Sequence, residues 1–209
     1  MADQLTPAYN AVSGVSSPIV RLWGRMEVTG LDVLPETGPV ILCANHDSYW
    51  DTVTVAAALR SKRQVHALAK SSLWKNKLVG WVLDGMGQIP IERGKGDTAA
   101  MDRAIEGLRR GIVIGIFPEG TRSLGQPLRA RSGIGRLAAA VPEAQVVCCA
   151  LNGTVDVPKF PKRPKITVEL FRPSGGGLQP GESHADFARR LVEELRAKAP
   201  HVPAGRKRG

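Results

Sequence analysis

A histidine and an aspartate lie five residues apart where an apolar run of the sequence turns polar. Residues 40–44 read Val-Ile-Leu-Cys-Ala, and His46 and Asp51 follow them. The run predicts a buried strand, and α/β folds place their sites at the carboxyl ends of such strands. A carboxylate on one ring nitrogen fixes the histidine tautomer, so the other nitrogen can take a proton from a hydroxyl. The alternative is a helix-capping aspartate beside a partly buried histidine, but none of the other three histidines has an acidic residue at this spacing.

A second apolar run, residues 112–117, also ends in a polar turn, Pro118-Glu119-Gly120-Thr121-Arg122-Ser123. Proline ends strand pairing, and the glycine permits a positive φ. Such a turn presents backbone N–H groups, two hydroxyls and a guanidinium, which together suit a phosphate group. The alternative is an ordinary turn between a strand and a helix.

The elements that would position these turns alternate along the chain. Apolar, β-rich runs predict strands at 26–29, 40–44, 64–69, 88–91, 112–117, 146–151 and 166–171, and helical patterns lie at 52–60, 73–83, 98–110, 134–141 and 184–198. Apolar strands separated by helices are typical of a parallel sheet covered on both faces. We therefore predict an α/β fold with a mixed, largely parallel sheet of about seven strands flanked by helices.

The chain has a net charge of +10, which favours an anionic partner such as nucleic acid, anionic lipid or a phosphorylated substrate. One stretch free of acidic residues, between Asp51 and Asp84, contains six cations. Such a run can equally be a solvated face. Aromatic residues make up only 5%, few for base stacking, so nucleic acid is not the partner we expect.

The three cysteines, Cys43, Cys148 and Cys149, lie in apolar runs and predict packed, reduced thiols in a cytosolic setting. Neither they nor the histidines have metal-ligand spacing, so we expect no metal and no cofactor. The sequence contains no secretory signal pattern and no uncharged apolar run of about 18 residues. We expect a peripheral protein on the cytoplasmic face of a membrane.

The N-terminal segment contains two predicted helix starts, Thr6-Pro7 and Ser17-Pro18, with Gly14 ending the first helix. At helical spacing one face carries Leu5, Tyr9, Val12, Ile19, Val20, Trp23 and Met26. This face either packs on the core or lies in a membrane interface, where Tyr9 and Trp23 would be favoured. We accordingly divide the chain into amphipathic membrane-associating helices (1–26), a main domain (27–200) and a basic tail (201–209).

Three motifs in order resemble those of the glycerolipid acyltransferases typified by 1-acyl-glycerol-3-phosphate acyltransferase. N-H-x-S-x-x-D at 45–51 is similar to the first family motif, G-Q-I-P-I-E-R at 87–93 to the second, and F-P-E-G-T-R-S at 117–123 to the third. The resemblance extends from about residue 23 to about residue 155. It implies transfer of a fatty acyl group from acyl-CoA or acyl carrier protein to a lysophospholipid hydroxyl, forming phosphatidic acid in phospholipid biosynthesis.

The resemblance also assigns roles to individual residues. His46 is implied as the general base and Asp51 as its orienting partner. Glu119 is implied either to shape its turn or to contact the acceptor. The implied substrate-binding residues are Lys70, Arg93, Glu119, Gly120, Thr121 and Arg122.

Two departures from the family pattern leave the substrate open. The chain has Lys70-Ser71-Ser72-Leu73 where family members often have Lys-x-Glu-Leu, and the run 146–151 lacks the usual proline. The acceptor could instead be another lysophospholipid, glycerol phosphate or a glycolipid. An alternative of another class is a non-catalytic basic module that binds anionic lipid.

Overall fold

The sheet of this protein contains seven strands, as the sequence predicts. The computed structural model describes residues 5–92, 97–159, 161 and 163–202. The strands are β1 (Glu27–Thr29), β2 (Val40–Ala44), β3 (Val65–Lys70), β4 (Ile89–Ile91), β5 (Val113–Ile116), β6 (Gln145–Asn152) and β7 (Thr167–Phe171). Their order is β1-β7-β6-β2-β5-β3-β4, and only the β6–β7 pair is antiparallel. The predicted α/β class with a mixed, largely parallel sheet is confirmed.

Helices cover both faces of the sheet. They are α1 (Pro7–Pro18), α2 (Trp50–Leu59), α3 (Lys77–Gly85), α4 (Thr98–Arg109), α5 (Gly133–Ala140) and α6 (His184–Lys198). Because side chains alternate along a strand, Ile41 and Cys43 pack with α4, α5 and α6, whereas Val40, Leu42 and Ala44 pack on the face that α2 covers. The sheet therefore has an apolar core on each side.

Strand pairing brings the two polar turns together. β2 lies between β5 and β6, parallel to both, with Cys43 opposite Ile116 and Cys148. Parallel strands in register end at the same edge of a sheet. The segment that holds His46 therefore leaves the sheet beside the turn that begins at Phe117.

The N-terminal segment differs from the prediction of two helices. One helix runs from Pro7 through Gly14 to Pro18 and continues as a π-helical turn, Ile19–Trp23. Gly14 does not end it, since an isolated glycine costs a helix only about 1 kcal/mol. Pro18 lacks the N–H that an α-helical turn would use, and the wider turn begins directly after it.

The predicted apolar face of this helix is divided between core and solvent. Tyr9 and Val20 are buried, and Trp23 is half-buried with its indole N–H donating to the Val157 carbonyl at 3.2 Å. The expectation that Tyr9 lies in a membrane interface is therefore wrong. The exposed large hydrophobic residues of α1 and the π-helical turn are Val12, Val15, Ile19 and Leu22.

The predicted helix 73–83 is also two elements. A 3₁₀ turn, Ser71–Lys75, precedes α3, and the Asn76 side chain accepts hydrogen bonds from the N–H groups of Leu78 and Val79. An asparagine in this position starts a new helix. The acid-free stretch before α3 is not one solvated face either, because Arg63 is buried and donates to the carbonyls of Gly38 and Gly111.

Candidate active site

His46 and Asp51 form a hydrogen-bonded pair at the carboxyl end of β2. His46 Nδ1 lies 2.9 Å from Asp51 Oδ2, and the two side chains are 9% and 0% exposed. Asp51 is in the first turn of α2, which begins at Trp50. The helix thus turns the carboxylate back toward the ring that leaves the strand.

The surroundings of Asp51 determine the tautomer of His46. Asp51 Oδ2 accepts hydrogen bonds from the N–H groups of Asp47 at 2.6 Å and Ser48 at 2.8 Å. Asp51 Oδ1 accepts a hydrogen bond from the Thr154 hydroxyl at 2.5 Å. Every one of these partners is a donor, which is the arrangement that an ionised carboxylate requires. The carboxylate therefore accepts a hydrogen bond from the N–H at Nδ1 of His46. Nε2 of the same ring is left without a proton and can act as a proton acceptor.

The ring of His46 packs on a residue that two cavities share. It stacks on Phe117, with the ring centroids 4.2 Å apart and the planes inclined by 16°. Phe117 lines both an apolar cavity and a polar cleft. The histidine thus contacts the aromatic side chain that the apolar and the polar compartment share, although it is not among the residues that line either one.

The apolar cavity has a volume of about 420 Å³ and lies between α1, α2, α3 and the sheet. Val12 and Ser16 of α1 and Leu78 and Val79 of α3 form one part of its wall, and strand residues including Ala67 form another. A cavity lined in this way accommodates a hydrocarbon chain but offers few polar partners.

The polar cleft, about 610 Å³, gathers several of the predicted substrate-binding residues. Lys70 at the end of β3 lines it together with Gly120 and Thr121, and two further cations, Arg131 and Arg136, lie on its wall. Gly120 has a φ of +72°, and a side chain there would come within 3.1 Å of Arg131. The cleft therefore combines a glycine turn and exposed cations, features of anion sites, with the carboxylates of Glu92 and Asp97, which also line it.

Glu119 is directed away from solvent. Its side chain is 1% exposed, and Oε2 accepts the backbone N–H of His46 at 2.8 Å. The carboxylate is also paired with Arg196 of α6 at 2.5 Å. Of the two roles implied for Glu119, this placement supports shaping of the turn.

Asp47 joins the same buried network. Arg196 binds both of its carboxylate oxygens, and the Ser123 hydroxyl donates to Oδ1. Burial raises the pKa of Asp47, but the hydrogen bonds from Arg196 and Ser123 outweigh it and hold the pKa below its usual range. Asp47 and Arg196 were not identified in the sequence as site residues.

Of the two arginines predicted to bind substrate, the structure describes only Arg122, and it is not among the residues that line the cleft. Arg122 stacks on the Tyr49 ring, 3.6 Å from its centroid, and donates to the Tyr49 hydroxyl at 2.9 Å. Arg93 lies outside the described residues. The roles of both stay predictions.

Comparison with known proteins identifies the family. The family model described as Acyltransferase matches residues 25–159, more than half of the chain. This chain belongs to the acyltransferase family. The matched acyltransferase segment contains every predicted site residue from His46 to Arg122, whereas Arg196 lies beyond it.

Individual relatives agree with this assignment. The 1-acyl-sn-glycerol-3-phosphate acyltransferase of Bacillus subtilis is 27% identical over 115 residues, which cover 55% of this chain and 57% of that protein. The lyso-ornithine lipid O-acyltransferase of Pseudomonas aeruginosa is 37% identical over 109 residues, 52% of this chain and 40% of that protein. The matched segments thus span about three fifths or less of these relatives.

A solved structure shares the acyltransferase fold. The crystal structure of the 1-acyl-sn-glycerophosphate (LPA) acyltransferase PlsC from Thermotoga maritima has a TM-score of 0.69 at 19% identity, covering 94% of this chain and 80% of that one.

Across the residues that the structure describes, no helix combines the length and apolar character needed to cross a bilayer.

Proposed function

We propose that this chain transfers a fatty acyl group from a thioester to the free hydroxyl of 1-acyl-glycerol-3-phosphate, forming phosphatidic acid. The observation that carries the proposal is the position of His46, whose ring stacks on Phe117, a residue that lines both the apolar cavity and the polar cleft. A lysophospholipid has the same two halves, a hydrocarbon chain and a phosphate. The base would lie between them, close to where the glycerol hydroxyl would be.

The proposed reaction is a direct transfer. Nε2 of His46 removes the proton from the acceptor hydroxyl while the oxygen attacks the thioester carbonyl carbon, and Asp51 stabilises the imidazolium that forms. The tetrahedral adduct then collapses as the carbon–sulfur bond breaks. The thiolate leaves and takes up the proton, and the products are an ester and a free thiol.

The glycine turn and the cations of the cleft would bind the acceptor phosphate. Lys70, Gly120 and Thr121 line one cleft, and Arg93 and Arg122 are the further ligands implied by the family motifs. Each charge-assisted hydrogen bond contributes about 1.5–3 kcal/mol. No cofactor is required beyond the donor, acyl-CoA or acyl carrier protein.

Acyl-transfer assays test this proposal. The purified protein is given acyl-CoA or acyl carrier protein with 1-acyl-glycerol-3-phosphate, a second lysophospholipid, lyso-ornithine lipid or glycerol 3-phosphate. We expect the highest kcat/KM with 1-acyl-glycerol-3-phosphate. A higher kcat/KM with lyso-ornithine lipid, the substrate named for one relative, would support the proposed acyl transfer but contradict the proposed acceptor. No transfer to any acceptor, with binding to anionic vesicles retained, would support the non-catalytic alternative.

We also propose that the protein binds the cytoplasmic face of an anionic membrane peripherally. Val15 and Leu22 of the N-terminal helix are 78% and 70% exposed, and Leu78 and Trp81 of α3 are 70% and 73% exposed. Both helices line the apolar cavity. Exposed Lys75 and its neighbours add cations, each attracting anionic headgroups by about 1 kcal/mol near the surface.

Vesicle flotation tests the membrane proposal. Leu22→Glu and Trp81→Glu should each weaken binding, and wild-type binding should fall with salt without vanishing, because the apolar contribution is not screened. The control is Gln145→Glu, which makes the same change of net charge at an exposed position at the start of β6. If all four proteins float equally, the exposed apolar residues are not a membrane surface.

A further inference from the structure

One arginine of the C-terminal helix joins the two turns of the candidate site. Arg196 donates to both oxygens of Asp47, from Nη1 at 2.9 Å and Nη2 at 3.0 Å. It also donates to Glu119, from Nε at 3.0 Å and from Nη2 at 2.5 Å and 2.7 Å. Its side chain is 10% exposed, and those of its partners are 9% and 1% exposed.

Both residues that Arg196 binds are connected to the His46–Asp51 pair, Glu119 through its carboxylate and Asp47 through its backbone N–H. Glu119 accepts the backbone N–H of His46 at 2.8 Å, and the Asp47 N–H donates to the same Asp51 oxygen that His46 Nδ1 contacts. Arg196 therefore fixes two groups that in turn fix the ring of His46 and its carboxylate partner.

The arrangement depends on the shape of the arginine as well as its charge. A guanidinium is planar and presents donors along two edges, so it can bind two carboxylates at once. Here one edge meets Asp47 and the other meets Glu119. A lysine would supply the charge as a point and could not reproduce this bridge.

We infer that Arg196 is a positioning residue, which sets the His46 turn in its working place relative to the turn at 117–123. The inference rests on the proposed acyl transfer. It extends the functional unit beyond residues 25–159, the segment that the family model matches. Arg196 does not face the apolar cavity, and its effect acts through Asp47 and Glu119.

If Arg196 only stabilised the fold, its loss would lower the unfolding midpoint without lowering the kcat of the folded protein. Another arginine of the same helix provides a control for that case. Arg190 donates from Nε and Nη2 to the two oxygens of Glu182, each at 2.9 Å, and its side chain is 24% exposed. Among the described residues, no hydrogen bond joins Glu182 to either turn of the candidate site. Arg190→Met thus removes a comparable pair from α6 without touching the site.

The experiment compares Arg196→Met, Arg196→Lys and Arg190→Met in the complete chain. We measure kcat and acceptor KM at saturating donor, the unfolding midpoint, and the ¹⁵N-resolved ring signals of His46, assigned with His46→Ala. Small misplacements of a catalytic group can lower rate by about 10²-fold. We expect a loss of this order in kcat for both Arg196 variants, a smaller change in KM, shifted His46 ring signals, and near-normal kcat for Arg190→Met.

Arg196→Lys retains the buried positive charge and decides the question if Arg196→Met does not fold. A folded Arg196→Lys with normal kcat and unshifted His46 signals would overturn the inference, as would equal loss of kcat in Arg190→Met. If the wild type transfers to no acceptor, the proposed function fails. The His46 ring signals then still test the positioning role, because they do not depend on turnover.

Discussion

Replacing Asp51 by asparagine removes one charge from the candidate site and keeps its shape. The carboxylate receives four donors: the His46 ring, two backbone N–H groups and the Thr154 hydroxyl. In the variant, the amide oxygen can face the first three while the amide nitrogen faces Thr154, whose hydroxyl can rotate to accept. The substitution therefore changes the charge more than the geometry.

The expected magnitudes follow from these contacts. A hydrogen bond to a charged group contributes about 1.5–3 kcal/mol and a neutral one about 0.5–1.5 kcal/mol, so three weakened bonds cost roughly 3 kcal/mol. Part of this loss is offset because a neutral amide is cheaper to bury than a carboxylate. The imidazolium that forms on His46 loses its counter-charge, and we expect kcat to fall by about 10²–10⁴-fold.

The assay is steady-state acyl transfer at saturating donor, with acceptor concentration varied and the fold monitored by circular dichroism. We expect a folded variant with greatly reduced kcat and an acceptor KM close to that of the wild type. Normal kcat with a large increase in KM would refute the reasoning, because Asp51 would then be a binding residue.

Three further predictions concern the cleft, the cavity and the core. Arg122→Ala should raise acceptor KM about 10–100-fold, equivalent to one charge-assisted bond, and leave donor KM nearly unchanged; an effect confined to the donor would assign this arginine to coenzyme phosphates. Ala67→Leu fills part of the apolar cavity, so kcat/KM should fall more for long acyl chains than for short ones, and a uniform change would place the chain elsewhere. Burial raises the pKa of Tyr9 from 10.0 to about 12, so loss of its phenol proton favours the unfolded chain, and the free energy of unfolding should fall by up to about 3 kcal/mol as pH rises from about 10 to about 12. Unfolding measured over that range should therefore show a loss of stability that Tyr9→Phe lacks, and identical profiles would contradict the prediction.

The strands and the central pair were predictable because their signals are local. The central strands β2, β5 and β6 are largely apolar runs, and β1 and β7 alternate polar with apolar residues, whereas the strand order depends on pairing between segments distant in sequence. His46 and Asp51 are five residues apart, so one strand end and one helix turn suffice to bring them together. The predicted strands consequently agree with the observed ones to within two residues at each end.

The rest of the site depends on contacts distant in sequence. Asp47 and Glu119 need a buried cation, but nothing in their own motifs indicates which of 29 lysines and arginines supplies it. Arg196 lies in an amphipathic helix among other charged residues, where its pattern resembles that of a solvated position. Thr154 likewise reaches Asp51 only because β6 lies next to β2.

The N-terminal helix shows how tertiary packing decides what periodicity leaves open. Tyr9, with an amphipathic side chain, and Val15, with an apolar one, both lie in α1. Tyr9 is nevertheless only 1% exposed, whereas Val15 is 78% exposed. The Tyr9 hydroxyl accepts the N–H of Val65 at 3.4 Å, a contact that no helical pattern predicts. Periodicity identified an amphipathic helix but not which of its residues meet the core.

The central claim is that His46 is the base of an acyl transfer, and removal of its ring tests this most directly. The purified His46→Ala variant is compared with the wild type in transfer from acyl-CoA or acyl carrier protein to 1-acyl-glycerol-3-phosphate, with circular dichroism as the control for folding. We predict a folded protein whose kcat is lower by about 10²–10⁴-fold or more, since a positioned general base contributes that factor. A folded variant that retains wild-type turnover would contradict the account.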